Sequence, residues 1–263
     1  MSDIDENKQI PRIFYNRLDK HEDISSLYRL LTNKAFLILV EKDKIKEILA
    51  KLLRNIRLIF SEYSGNHEKR CREVNHWINK EIKAYKDENR EDISSYVLTV
   101  FNDVKLKTVN RNMICNRNEN PYRTDYVDLL KELDDYCEIR DNNGCNALKN
   151  KNECEKYNSY IRGMKEHFSS QINEKCIAPK CNRNEYKIDD SCTLNNMDLT
   201  FPEINCEFTP VGSIIHRFRG RKYDLKRNIE RVDDDRYSLY HSDAVPSDTE
   251  NKRYYIEYGR PNN

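Results

Sequence analysis

The chain is poor in glycine and proline, with 6 and 7 respectively in 263 residues. Turn-rich β architectures draw on both residues, so their scarcity disfavours a β-sandwich and favours long helices. There is one tryptophan. No long apolar run occurs. The longest, Ala35-Phe36-Leu37-Ile38-Leu39-Val40, has the length of a core segment. It falls well short of the roughly 18–20 residues that span a bilayer. Read from Met1, the acidic and polar N-terminus does not have the form of a signal peptide. Net charge is only +1, so no global field draws in nucleic acid, and no nucleic-acid partner is expected. Walker, GxGxxG, HExxH and GxSxG motifs are all missing, which argues against a cofactor or a small-molecule substrate.

Charge and cysteine are plentiful. Charged residues make up 35% and hydrophobic residues 37%, against typical values of about 25% and 45–50%, so the core must be economical. The nine cysteines are Cys71, Cys115, Cys137, Cys145, Cys154, Cys176, Cys181, Cys192 and Cys206. None forms a CxxC pair, which disfavours a redox motif or zinc ribbon. Scattered cysteines on helices and in loops suit disulfides made in an oxidising compartment. Reduced thiols and a metal cluster are the alternatives. The odd count leaves at least one thiol unpaired or paired to another chain. A metal set of Cys176, Cys181, Cys192 and Cys206 would have irregular gaps of 4, 10 and 13 residues, so no metal is expected. His76 and His167 lie near cysteines in sequence, but both fit solvated helix positions. No nucleophile turn accompanies either, so the chain does not read as an enzyme.

Apolar periodicity predicts an all-α bundle. Residues 1–20 form an extended or short helical lead-in. A short helix follows over 23–31, with Asp23 as N-cap and Asn33 near its end. The strongest helix spans 34–62, where Ile45, Ile48, Leu49, Leu52, Leu53, Ile56, Ile59 and Phe60 line one stripe. Further helices are predicted over 67–87, 92–107, 123–140 and 147–173. Asp92 caps the second of these, and Asn142-Asn143-Gly144 reads as a turn. Trp77 borders the stripe of the 67–87 helix and reads as a core anchor. Residues 110–121 are loop. Residues 174–206 lose helical period and form a Cys-rich loop segment, ordered only by cross-links or by lying on the bundle. No internal repeat of fixed period is evident.

Every cysteine lies at or before Cys206. Beyond it comes a basic run, Arg217, Arg219, Arg221, Lys222, Lys226, Arg227 and Arg231, set against Asp224 and Glu230. The rest is polar and should be disordered. The chain thus divides into a lead-in at 1–21, a helical cysteine-containing domain at 22–206, and a basic disordered tail at 207–263. The basic run has three readings: a solvated segment, a polybasic juxtamembrane segment, each basic residue then contributing about 1 kcal/mol near an anionic leaflet, or a nucleic-acid contact, for which Phe218 and Tyr223 alone are thin support.

Four motifs in order resemble one family. Cys71-Arg72-Glu73-Val74-Asn75-His76-Trp77-Ile78 is similar to the Cys-x-x-x-Asn-x-Trp-Ile/Leu helix of the PIR (Plasmodium interspersed repeat, vir-like) variant antigens of malaria parasites. Cys154-Glu155-Lys156-Tyr157-Asn158-Ser159-Tyr160-Ile161 resembles a second cysteine helix. Phe208-Thr209-Pro210-Val211-Gly212-Ser213 with Arg217-Phe218-Arg219-Gly220-Arg221-Lys222 looks like the start of the family's cytoplasmic tail, and Lys252-Arg253-Tyr254-Tyr255-Ile256-Glu257-Tyr258 like its end. The segment from Asp190 to Cys206 also resembles SURFIN-type and subtelomeric transmembrane surface proteins. The two resemblances stand side by side.

The resemblance implies a disulfide-linked helical ectodomain and a protein exported to the infected erythrocyte, at its surface or in its cytoplasm. It implies antigenic variation and immune evasion, with a host receptor or an antibody as partner, and no catalytic residues. It also implies a transmembrane helix just before the Phe-Thr-Pro-x-Gly-Ser motif. Here Cys206 is followed at once by Glu207. Membrane association is therefore implied by the resemblance and unsupported by the residues. The alternative is a soluble exported helical module that acts inside the host cell.

Overall fold

The computed structural model describes residues 4–32, 34–107, 115–123, 126–175 and 186–207. The fold is an all-α, disulfide-linked helical bundle carrying one small hairpin. Helices α1 (Ile10–Arg17), α2 (Ser25–Leu30), α3 (Ala35–Leu39), α4 (Asp43–Ser61), α5 (His67–Asn89) and α6 (Ser94–Lys107) come first. Then follow α7 (Val127–Ala147), α8 (Lys151–Lys175), an antiparallel pair of strands β1 (Lys187–Asp189) and β2 (Cys192–Thr193), and the short α9 (Met197–Thr200).

Two apolar cores form. The first gathers Phe14 and Leu18 of α1, the stripe of α4, Val74, Trp77 and Ile78 of α5, and Val97, Val100 and Phe101 of α6. The second gathers Leu129, Leu130, Leu133 and Tyr136 of α7, Tyr157, Tyr160, Ile161 and Phe168 of α8, and Leu194 and Phe201 beyond them. The N-terminal segment touches both. Ile4 packs on the second core, whereas Phe14 is fully buried in the first. Helix α1 is held against α4 by Arg54, whose guanidinium donates to the carbonyls of Arg17 (2.9 Å), Leu18 (3.0 Å) and Lys20 (2.6 Å). Those carbonyls lie at and just past the end of α1, where the Arg17 carbonyl also accepts from the Lys20 amide (3.2 Å) and the Leu18 carbonyl from the Asn55 amide (3.0 Å).

The structure corrects two predicted boundaries. The apolar segment from Ala35 does not run into α4 as one helix over 34–62. Val40 is extended, with ψ 93°, and its side chain is buried. Burying that valine turns the chain, and α4 starts afresh with Asp43 in its first turn, where the helix dipole favours a carboxylate. Nor do Asn142, Asn143 and Gly144 make a turn, since α7 continues to Ala147. The Asn143 amide donates to the Ile139 carbonyl one turn back (2.8 Å) and to Gln9 (2.9 Å). Ala147 is buried in the second core. Tertiary partners therefore outweigh the turn preference of Asn-Gly. The real break lies at 148–150, where Asn150 accepts from the Glu153 amide (2.9 Å) to open α8. Asp92 accepts from the Ser94 amide at 2.8 Å and so caps the start of α6.

Residues 186–207 of the Cys-rich segment lie on α7 and α8. Tyr136 stacks on Phe201 at 4.6 Å and donates to the Thr200 carbonyl (3.1 Å). Arg140 donates to the carbonyls of Ser191 (2.9 Å) and Thr200 (2.8 Å).

Candidate functional site

Six of the cysteines are bridged as Cys71–Cys115, Cys137–Cys192 and Cys154–Cys206. Cys145, near the end of α7, is a free and exposed thiol. Cys176 and Cys181 lie outside the described residues, as does the basic run Arg217, Arg219, Arg221, Lys222, Lys226 and Arg227. The four-cysteine metal set does not come together, because Cys192 and Cys206 are bridged to two different helices. Among the described residues, no group of three or more His, Cys, Asp or Glu is disposed to hold a metal ion.

Each cystine ties a non-helical segment to a helix. On α5, Cys71 holds Cys115, and Asn75 one turn further on holds the residues after it. The Asn75 amide donates to the Asn116 carbonyl (2.9 Å), and its oxygen accepts from the Asn118 amide (2.7 Å) and the Arg117 guanidinium (3.2 Å). On α8, Cys154 holds Cys206. There the Asn158 amide donates to the Ile204 carbonyl (2.7 Å), and its oxygen accepts from the Ile204 amide (2.9 Å). A side-chain amide offers both a donor and an acceptor, so it can satisfy extended backbone as a paired strand would. Both asparagines stand in the quoted family motifs, but sequence reasoning gave neither a structural role. The available signal was their shared position, four residues after a helical cysteine.

Trp77, also on α5, is 2% exposed, and its indole N–H donates to Asp19 at 2.6 Å. His76 corrects the expectation of a solvated position, because it is buried between Tyr15 and Tyr122. Burial disfavours the imidazolium and pushes its pKa down to about 4, with Lys80 adding to the effect. His167 is partly exposed and sits 3.1 Å from Glu132. Among the described residues, neither histidine hydrogen-bonds to a cysteine sulfur.

The most polar part of the interior lies between α5 and α7. Lys69 Nζ lies 3.0 Å from Asp135, 3.5 Å from Glu138, 3.6 Å from Glu73 and 3.8 Å from Asp134. Arg70 pairs with Glu73 and Glu138 and lies over the Phe14 ring, 5.0 Å from its centroid. Arg72 takes both oxygens of Asp134 at 3.0 Å. Lys131 pairs with Asp135 and lies 4.1 Å from the Tyr15 ring centroid. Arg12 reaches Asp135 from α1 at 3.5 Å. Burial alone would lower the Lys69 pKa, but the surrounding carboxylates, Asp134 and Glu73 foremost, more than offset it and hold the ammonium charged. Burial would likewise raise Asp135, but Lys69 and Lys131 bring it below the usual value. Glu73 behaves differently. Burial dominates there, and despite Arg70 and Lys69 its pKa is pushed up to about 7. Such a cluster orients helices. The sequence hint was Lys69, Arg70 and Glu73 at i, i+1 and i+4 beside the apolar stripe.

On the surface, Ile38 and Leu39 project from the end of α3, 81% and 69% exposed. An open cavity of about 420 Å³ lies by α8, lined among others by Glu6, Tyr160, Arg162, Gly163 and Met164. Among the described residues, no helix is long and apolar enough to cross a membrane.

Residues 13–207 match a family model described as Plasmodium vivax Vir protein. The match takes in both Cys-x-x-x-Asn clamps and all three described cystines. No curated protein and no solved structure matches the chain.

Proposed function

The chain belongs to the Plasmodium vivax Vir protein family, and from that premise we propose that it is an exported variant antigen of the infected erythrocyte. In this reading it acts by binding and immune evasion, with a host receptor or an antibody as its partner and no catalysis. Membership of a family of variant antigens supports the class.

The structural observation that carries the reading is the set of three cystine-held segments. Their loops span 44, 55 and 52 residues. On a chain-entropy account each closure contributes about 4 kcal/mol. A scaffold stabilised in this way depends little on its exposed helix faces. Surface substitutions usually change stability by less than about 0.5 kcal/mol, so those faces can diversify while the fold persists. Variation under antibody selection requires that tolerance.

Antibodies raised against residues 4–207, applied to intact infected cells with and without trypsin shaving, test the reading. Labelling that trypsin removes is the expected result. Absence of both labelling and trypsin sensitivity would rule out surface display. The second reading, a soluble module inside the host cell, is favoured by the lack of a spanning helix among the described residues. Release of the protein by alkaline carbonate would support it.

A further inference from the structure

One eight-residue pattern occurs twice. Cys71-x-x-Val74-Asn75-x-Trp77-Ile78 on α5 and Cys154-x-x-Tyr157-Asn158-x-Tyr160-Ile161 on α8 share Cys, Asn, an aromatic residue and Ile at the same offsets. Both copies do the same structural work. In each, the cysteine bridges to a distant segment and the asparagine binds the backbone next to the partner cysteine. The apolar positions of the first copy enter the first core, and those of the second enter the second core. Each pattern sits on the second helix of a hairpin, α4–α5 or α7–α8.

The described cystines stay within these halves. Cys71–Cys115 closes the first, whereas Cys137–Cys192 and Cys154–Cys206 close the second. What joins the halves is largely polar. Among the described residues it includes the cluster of Lys69, Arg70, Arg72 and Glu73 facing Lys131, Asp134, Asp135 and Glu138, with the rings of Tyr15, His76 and Tyr122 beside it and His76 and Lys80 near Asp128 at its end. The N-terminal segment laces across this seam. Glu6 accepts from Tyr160 (3.2 Å), Gln9 from Asn143 (2.9 Å), and Arg12 meets Asp135, while Phe14 and Leu18 are buried on the other side.

We infer that the domain is a pair of cystine-clamped helix hairpins that open and unfold as separate cooperative units. The charged seam and the segment 4–18 form the reversible latch between them. An apolar core loses its whole driving force when it is wetted. A buried ion cluster regains hydration on both partners when its two faces part, so it resists separation far less than it resists loss of one partner. Cooperative units of native proteins commonly coincide with supersecondary motifs of this kind.

The test uses the full oxidised chain. Trp77 fluorescence in urea reports the first half, and hydrogen exchange of the α8 amides reports the second. Leu49→Ala perturbs only the first core, and Phe168→Ala only the second. Leu49→Ala should speed exchange in α4 and α5 by about tenfold or more and leave α8 within about threefold. Phe168→Ala should do the reverse, leaving the Trp77 transition in place. The pair Gln9→Ala and Arg12→Ala should widen the gap between the two transitions. If either alanine variant does not fold, Leu49→Val and Phe168→Leu ask the same question more gently. Equal shifts in α4 and α8 with every variant, and one coincident transition, would overturn the inference.

Discussion

Replacing Asn75 with alanine removes no apolar surface of consequence, yet it should be among the more damaging single changes in the first half. The side chain is 1% exposed and makes three contacts to the segment after Cys115, at 2.7, 2.9 and 3.2 Å. Truncation leaves the Asn116 carbonyl and the Asn118 amide facing a methyl group. The cystine at Cys115 keeps the segment from swinging out to find water. A hydrogen bond is worth about 1 kcal/mol net, and a buried group left unsatisfied costs about 1–3 kcal/mol, so the total should be about 2–4 kcal/mol. Urea denaturation followed by Trp77 fluorescence measures it. Asn75→Asp keeps the acceptor for the Asn118 amide but sets a buried carboxylate oxygen against the Asn116 carbonyl, so it should cost at least as much as alanine. In a cycle with Cys71→Ser and Cys115→Ser, the asparagine should matter less once the bridge is gone, with a coupling of about 1 kcal/mol or more. A loss under about 0.5 kcal/mol for Asn75→Ala, or no coupling, would refute the clamp.

Asn158→Ala, which removes two contacts to Ile204, should cost about 1–3 kcal/mol on the same scale, read by α8 amide exchange. Trp77→Ala should cost about 3–5 kcal/mol by thermal and urea denaturation, since it opens a cavity and removes the indole hydrogen bond to Asp19. Arg70→Met leaves Glu73 and Glu138 to share Lys69 alone and should cost about 3–5 kcal/mol, whereas joint replacement of Arg70, Glu73 and Glu138 by apolar residues should be far milder. Two groups set opposing pH trends. Glu73, raised from 4.5 to about 7, contributes stability that is full below its unfolded value and fades as pH rises through 7; Glu73→Gln should abolish that decline. His76, lowered from 6.5 to about 4, contributes stability above 6.5 that is lost as pH falls towards 4; His76→Gln should flatten the acid limb of a stability–pH profile.

Helix placement was legible wherever a stripe was long. The α4 and α8 stripes read directly, because about five and about seven turns of spacing average out local exceptions. Two failures came from short-range signals that distant groups overrule. Val40 breaks a continuous apolar run because the core takes its side chain, and Asn143 stays helical because Gln9 meets its amide. His76 misled for a related reason, since periodicity placed it beside the stripe, and only the packing of Tyr15 and Tyr122 encloses it. The clamp asparagines were visible as letters. Their role depends on which segment the neighbouring cysteine captures, and spacing along the chain does not encode that choice.

Composition and periodicity by themselves pointed to an all-α chain with cysteines suited to disulfides and no apolar run of bilayer length, because these follow from residue type and from a repeat of 3.6 along one segment. The motif order was enough to indicate the family. Only the tertiary structure decided which cysteines pair and that charge fills the seam between two apolar cores. It also showed that one clamp is used twice. These depend on contacts between residues 40 to 155 positions apart, such as Asn75 with Asn116 and Tyr160 with Glu6. Their free energy exists only after the helices have packed.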